Sequence, residues 1–427
     1  MFFIKFITLV FIGNNFYFNS VEIVTLTYNL RFAGFEEEWN SYFLEDVIKS
    51  FVNGQTPSRN VDSYWNGEIP WVSSGELNYN HITSTIEQIT EEGKGKANLK
   101  LLPAGTFLMA ITGLEAAGTR GSCAILDIEA TTNQSCMALF PKEDKLTTKF
   151  LYYWYLKVGE HYGIKYTQGT KQQSYNKELL EKLPIVIPDN LKEQDKITDC
   201  LSLLHFKIEL LEKKYKSYVD FKKYLMQQIF AQKLRFDNFD SEWEFKKLGE
   251  VSNVKDGTHD SPKYVSNGYP LITSKNLVNG KIDFKNVNYI SKEDYDNINK
   301  RSNVNKGDIL FGMIGTIGNP LIAETDEFAI KNVALIKEKK ELVNKFLIHI
   351  FETDFINKQF YRLNAGGTQK FIALGLIKDL LVPIPPIEEQ LKISEFLSMV
   401  DINLNSSKNQ ISNMKKFKKG LLQQMFI

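Results

Sequence analysis

Cysteine is scarce in this chain of 427 residues, and Cys123, Cys136 and Cys200 form an odd set with no Cys-x-x-Cys spacing. That excludes a disulfide framework and a zinc knuckle, and it makes a reducing cytoplasm the expected location, with the thiols as packing residues. Histidine is thin as well. His81, His161, His205, His259 and His349 are scattered without metal-ligand spacing, so each reads as structural or surface and no metal site is expected. Excess charge of either sign is missing too: the net charge is +1, so any nucleic-acid surface has to be local. With 43% hydrophobic and 13% aromatic residues, global disorder is excluded. Long apolar runs are absent except at Met1 to Ile12, interrupted by Lys5. This run resembles the front of a secretion signal, but it is too short to span a bilayer and no Ala-x-Ala pattern follows. Residues 1–29 are therefore expected to be an appendage or a misplaced translation start, and no membrane association is expected.

Catalytic and nucleotide motifs are also missing. Gly312, Gly315 and Gly318 are spaced G-x-x-G-x-x-G, which is neither the dinucleotide fingerprint nor a P-loop, and only Gly113 and Gly118 answer them earlier. They read as strand-end and turn glycines. No Asn/Asp-Pro-Pro-Tyr/Phe tetrad is present to hold a flipped base, and no glycine-rich loop for a methyl donor. Asp326, Glu338 and Lys340 can be forced into a nuclease pattern, but at 24% charged residues such matches arise by chance. No catalytic residues are expected.

What is present is a duplication. Leu30-Arg31-Phe32-Ala33-Gly34-Phe35, closing at Glu38-Trp39, returns as Leu234-Arg235-Phe236-Asp237-Asn238-Phe239, closing at Glu242-Trp243. The run Phe221 to Phe230 likewise returns as Phe417 to Phe426. A period of about 200 residues excludes solenoids and propellers, whose units run about 20 to 50 residues, and implies a duplicated domain with internal two-fold pseudosymmetry. The repeat is circularly phased, so residues 30–39 are expected to lie beside the end of the chain.

Each copy ends in a proline-free stretch. In the first, Ile197, Leu201, Leu204, Ile208, Leu211, Tyr215, Tyr218, Lys222, Leu225 and Ile229 alternate steps of four and three. In the second, Ile393, Leu397, Val400, Leu404, Ser407, Ile411, Met414, Lys418, Leu421 and Met425 fill the same places. A sustained 3.5-residue period specifies a coiled coil, here expected between the two helices of one chain. Pro184 and Pro188 precede the first helix, with Asn190 and Glu193 at capping-box spacing, and Pro383, Pro385 and Pro386 precede the second. Lys222 and Lys418 occupy the same seam position, where a polar residue fixes register while its stem snorkels to water. At about 1.5 Å per residue, Ile197 to Ile229 makes a stiff spacer about 48 Å long. Residues 191–235 carry ten Lys or Arg against six acids, a mild local basicity.

The remaining halves read as α/β. Gly105 to Ala110 and Gly307 to Gly312 are strand candidates, as are Leu183 to Ile187 and Leu381 to Ile384; helices are expected over 149–158 and 345–357. Polar loops fall in equivalent places. Gln168-Gly169-Thr170-Lys171-Gln172-Gln173 answers Gly366-Gly367-Thr368-Gln369-Lys370, and the turn with Ser73 and Ser74 answers the one with Ser274, Lys275 and Asn276. Glycine lets backbone approach a ligand, while Gln, Lys, Thr, Ser and Asn read base edges or clamp phosphates, so these residues are the candidate DNA contacts. A shared frame with divergent tips implies two different targets.

Two variable domains, each opened by the Leu-Arg-Phe…Trp element and closed by a Gly-Thr loop, a proline-flanked strand and a Glu-Gln helix start (Glu193-Gln194, Glu389-Gln390), alternate here with two long helices. Over about residues 30 to 427 this order resembles the specificity subunit of type I restriction-modification systems. The resemblance implies an α+β fold: an N-terminal extension (1–29), a target recognition domain (30–190), a central helix (191–235), a second recognition domain (236–387) and a C-terminal helix (388–427), the helices forming an antiparallel coiled coil. It further implies that each domain reads one half of a bipartite double-stranded DNA target and that the coil sets the gap. Catalysis would lie elsewhere: S-adenosylmethionine on two modification subunits, ATP and magnesium on restriction subunits. Two other readings stand beside it, a recognition module of a type II methyltransferase-nuclease system and a non-DNA coiled-coil adaptor with two protein-binding heads.

Overall fold

The computed structural model describes residues 4–12, 15–26, 29–115, 118–169, 173–363 and 371–426. The chain divides into two compact units, residues 1–211 with 410–427, and residues 212–409. Each long helix contributes residues to both units.

In the first unit the apolar runs Phe107–Ala110 and Cys123–Leu126 are buried at every position, as central strands covered on both faces must be. They lie in a five-stranded sheet of order Ile48–Asn53, Cys136–Pro141, Phe107–Ala110, Cys123–Leu126 and Asn80–Ile82. The helix Thr148–Lys165 contributes Phe150, Leu151, Tyr152 and Trp154 to the same core. Cys123 and Cys136 are fully buried, and burial pushes both thiols well up, in keeping with their packing role. Ile4–Ile12, Asn15–Leu26 and Asn29–Phe32 form an antiparallel three-stranded sheet, so the backbone of the extension continues into the Leu-Arg-Phe element.

The second unit repeats the plan with a four-stranded sheet of order Asn253–Asp256, Val333–Lys337, Ile309–Gly312 and Gly318–Ile322. A smaller sheet carries Tyr269–Ile272 parallel to Ala329–Ile330, just as Trp65–Val72 runs parallel to Thr131–Thr132 in the first. The helix expected over 345–357 is two helices, Asn344–Ile350 and Asp354–Leu363. Thr353 makes the break: its hydroxyl donates to Ile350 O at 2.6 Å and accepts Ile356 N at 3.4 Å, ending one helix and capping the next. The proline-flanked strands behave alike, Pro184–Ile187 pairing with Asn40–Phe43 and Leu381–Ile384 with Glu244–Lys247.

The long helices are Leu191–Phe230 and Ile387–Met425. No residue of the anticipated seam is exposed. Ile197, Leu201, Ile208, Leu211, Ile393, Leu397 and Val400 are buried, while Leu204, Tyr215, Leu404, Ile411 and Met414 are half-buried. In the first unit Ile197 and Leu201 share a core with Leu421 and Met425, and His205 meets Lys418. In the second, Leu225 and Ile229 share one with Ile393, Leu397 and Val400, and Lys222 meets Asp401. Chain order is reversed in both pairings, so the helices run antiparallel. The helix ends thus belong to the globular cores, and burial of about 1.5 to 3 kcal/mol per large apolar side chain ties them there.

Candidate nucleic-acid interface

The repeated sequence elements turn out to be one another's partners. Arg31 donates from Nε and Nη2 to the two oxygens of Glu193 at 2.7 and 2.8 Å, and Trp39 Nε1 donates to Glu193 Oε1 at 3.2 Å. Arg235 does the same to Glu389 at 3.0 and 2.8 Å, and Trp243 Nε1 adds 3.0 Å. Both carboxylates are buried, so the fork of guanidinium donors supplies the charge they need. The adjacent glutamines are equally matched. Gln194 accepts from Thr147 N at 2.9 Å and donates to Lys145 O and Pro188 O at 2.8 and 2.9 Å. Gln390 accepts from Val343 N at 2.9 Å and donates to Glu341 O and Pro385 O at 2.8 and 2.9 Å. Glu193 therefore serves Arg31 and Trp39 instead of closing a capping box; Asn190 caps alone, through Oδ1 and Lys192 N at 3.0 Å. Trp39 also lies edge-on to Phe426 at 6.4 Å, which joins the opening element to the end of the chain within the first unit.

The seam lysines do not snorkel to water. Lys222, 13% exposed, is paired with Asp401 at 2.7 Å and Glu352 at 2.5 Å. Lys418 donates to His205 Nδ1 at 2.9 Å and lies 5.7 Å from the Tyr153 ring centroid. Sequence spacing hid a cluster of His349, Glu352 and Asp401, close enough together to hold a metal ion. The Lys222 ammonium already bonds both of its carboxylates, so the cluster is charge-satisfied by the chain itself.

The candidate contact loops gather where strands end. In the first unit, Gln168 and Ser174 exchange backbone bonds at 3.1 and 3.0 Å, and Tyr175 N donates to Ile111 O at 2.8 Å. In the second, Ile372 N donates to Met313 O at 2.9 Å. Each Gly-Thr loop is thus rooted on the turn that follows a central strand, where Gly113 and Gly315 take φ of 73° and 77°, values that favour glycine. Gln168 is exposed, and Gln173 is half-buried with its N–H on Glu115 Oε2 at 3.2 Å. Thr170, Lys171, Gln172, Thr368, Gln369 and Lys370 lie outside the described residues.

The other pair of turns is held by its own hydrogen bonds. Ser73 binds Glu76 Oε1 through N and Oγ at 2.9 and 3.0 Å, and Thr273 binds Asn276 Oδ1 in the same way at 3.0 and 2.8 Å. Ser73 and Ser74 are half-buried, but Ser274 and Asn276 are buried. Ser274 Oγ donates to Asn332 O, and Asn276 Nδ2 donates to Asp283 O and Asn286 O. Their polar atoms shape the turn, and of the three candidate contacts Lys275 is the exposed one.

A further pair of positions escaped sequence reasoning. The backbone passes so close at Gly54 and Gly257 that a Cβ would lie 2.1 Å from Thr132 O and 2.2 Å from Ile330 O. Gln55 N then donates to Thr132 O at 2.9 Å, and Thr258 N to Ile330 O at 3.0 Å. The next side chain in each unit meets a polar partner: Thr56 Oγ1 donates to Gln134 Oε1 at 2.5 Å, and His259 Nδ1 lies 2.8 Å from Asn332 Oδ1. The other nitrogen of His259 is 2.8 Å from Asp256 Oδ2, while Arg301 bonds Asp256 Oδ1. With an oxygen on each ring nitrogen, first Asn332 and then Asp256 raise the His259 pKa. In the first unit the local cation is Arg59, stacked 3.7 Å from the Trp65 centroid and bonded to Glu87. The frame is shared and the chemistry differs, and the histidine without a repeat was the signal.

Paired α/β units, divergent polar strand ends and two long antiparallel-paired helices define a two-headed recognition protein. Residues 36–217 and 240–414 each match the type I restriction modification DNA specificity domain. The chain belongs to that family, the specificity subunits of type I restriction-modification systems, and carries two tandem recognition domains. It is 24% identical over 406 residues to the type I restriction enzyme MjaVIII specificity subunit of Methanocaldococcus jannaschii, covering 90% of this chain and 91% of that protein. It is 29% identical over 206 residues to the EcoR124I/EcoR124II specificity subunit of Escherichia coli, covering 45% and 49%. The fold is similar to the crystal structure of the type I restriction-modification S subunit from M. genitalium, with a TM-score of 0.63, 16% identity and coverage of 92% of this chain and 98% of that one. Among the described residues no helix is long and apolar enough to cross a membrane.

Proposed function

We propose that each unit reads one half of a bipartite double-stranded DNA target and that the paired helices set the number of base pairs between the halves. The observation that carries this is the retained frame with exchanged polar groups, Thr56 and Gln134 in one unit against His259 and Asn332 in the other. One frame presenting two chemistries suits two different half-sites. The chain acts without catalysis of its own. Two modification subunits, using S-adenosylmethionine, dock on it, and restriction subunits bring ATP and magnesium. Their docking is supported by exposed apolar residues on the outer helix faces: Leu203 and Phe206 on the first, matched by Met399 and Ile402 at the same heptad positions of the second. Two equivalent patches suit two copies of one partner.

The test is to reconstitute the chain with its modification subunits and map methylated bases. Two short blocks separated by an unread gap are expected, with binding that weakens steeply with salt through counterion release. A contiguous motif, or salt-insensitive binding without sequence preference, would overturn the reading. A heptad inserted after Leu211, with another after Ile411 to keep the seam in phase, lengthens the helices by about 10 Å. At roughly 3.4 Å per base pair the gap should widen by at most about three base pairs, with both half-sites unchanged.

A further inference from the structure

The second unit contains an arginine held by a buried carboxylate at the edge of a cavity. Asp256 ends the strand Asn253–Asp256 and is only 8% exposed, yet each of its oxygens is engaged by a residue that reaches the surface. Oδ2 meets His259 Nε2 at 2.8 Å, and Oδ1 meets Arg301 Nη2. His259 is anchored on its far side by Asn332. Both histidine nitrogens are therefore consumed internally. Arg301 is 62% exposed. A carboxylate fixed from two sides anchors one nitrogen of the guanidinium, which lowers the ordering cost of further contacts made by the others.

The surroundings select the ligand. Arg301 lines an open cavity of about 280 Å³ with Thr258, Asp260, Ser261 and Asn297. Asp260 is exposed beside it. The lining itself carries Asp260 and Asp294 beside Arg301, with the Lys331 ammonium bonded to Ser261 Oγ, so it offers acceptors as well as donors and does not single out a phosphate. A G·C base-pair edge fits better, because in the major groove it offers guanine O6 and N7 as acceptors and cytosine N4 as a donor. The location is also right. Asn332, which holds His259, takes Ser274 Oγ and Met313 N on its backbone oxygen, and Met313 O receives Ile372 N from the end of the Gly-Thr loop. The cluster is thus bonded to the turn of Ser274 and, through Met313, to Ile372.

We infer that Arg301 reads guanine and Asp260 the paired cytosine at one position of the half-site bound by the second unit, with Asp256 and His259 as positioning residues. The inference rests on the recognition function proposed above. The test uses the complete complex with its modification subunits. Methylated motifs are mapped, and binding is measured on duplexes carrying every base pair at each half-site position. Arg301→Lys keeps the charge beside Asp256 and so preserves the fold, but it cannot make the two-point contact. It should lose discrimination about 10- to 100-fold at one G·C position of one half-site, leaving the other half-site untouched. Asp260→Asn should relax the same position. An unchanged motif, a half-site without a G·C pair, or equal weakening on all sequences would overturn the inference. A wild-type complex with no bipartite motif would instead reject the recognition function itself, which keeps the two failures distinct.

Discussion

The two units keep one node almost atom for atom and let another drift. At the helix starts, Arg31, Trp39 and Glu193 reproduce Arg235, Trp243 and Glu389, with each arginine-to-carboxylate contact between 2.7 and 3.0 Å. At the seam, equivalent lysines live differently. Lys222 has Asp401 and Glu352, which outweigh the downward pull of burial and leave its pKa raised. In the first unit, the equivalent places of Asp401 and His349 are taken by His205 and Tyr153, so Lys418 contacts an imidazole and a ring, with the charge of Glu209 acting against burial. Burial pushes its pKa down to about 8. The difference teaches that a buried carboxylate admits few solutions, whereas a lysine at a seam is tolerated with or without a counterion.

The largest expected effect tests the shared node. Arg31→Ala and Arg235→Ala each leave a buried carboxylate without its cation, still hydrogen-bonded to a tryptophan N–H, so each should cost about 3 to 5 kcal/mol in its own unit. Hydrogen exchange followed by mass spectrometry resolves the units separately. Equal losses sustain the equivalence; a loss below about 1 kcal/mol in either unit breaks it.

The seam node should respond with opposite signs. Lys222→Met strands Glu352 and Asp401, but these are 45% and 32% exposed, so water softens the loss to about 1 to 2 kcal/mol. Lys418→Met removes an ammonium whose folded pKa lies below the ordinary 10.5. A base depressed in this way gives its full stability above the unfolded value and loses it as pH falls through about 8, so at pH 7 the charged form is a net burden. Its replacement should stabilise the first unit by about 1 kcal/mol, after the lost bond to His205 is counted. Matching signs for the two variants would show that the counterions are unimportant.

These nodes also show what the sequence could reveal. The seam was legible because heptad spacing is a local property, and its residues are the ones removed from solvent. The clamp was visible as repeated residues but not as a bond, since Arg31 and Glu193 are 162 positions apart and nothing local pairs them. The candidate loops were visible in the sequence through their equivalence between copies, and their flanking residues bond to the ends of central strands. Burial of Ser274 and Asn276 was not legible, because a short polar turn can spend its hydrogen bonds on itself or on a ligand with the same residues. The cluster around Asp256 needed a helix residue, Arg301, from 45 positions downstream, and only packing brings it there.

The smallest effect separates the units by pH. His349 occupies in the second unit the place of Tyr153 in the first; it is 3% exposed, and its Nδ1 lies 3.8 Å from Asp401. Burial and the Lys222 charge, against the opposing pull of Asp401, hold its pKa down at about 4 instead of 6.5. The unfolded chain therefore binds a proton that the folded unit refuses. Stability is complete above about 6.5 and falls as pH drops toward 4. At pH 5.5 the loss from this group should be about 1 kcal/mol. Exchange rates of the second unit measured at pH 7 and 5.5 should show it, and His349→Phe, which buries a ring without a titrating nitrogen, should remove that part of the slope. If the slope persists in the variant, the acid sensitivity belongs to other groups and the seam node plays no part in it.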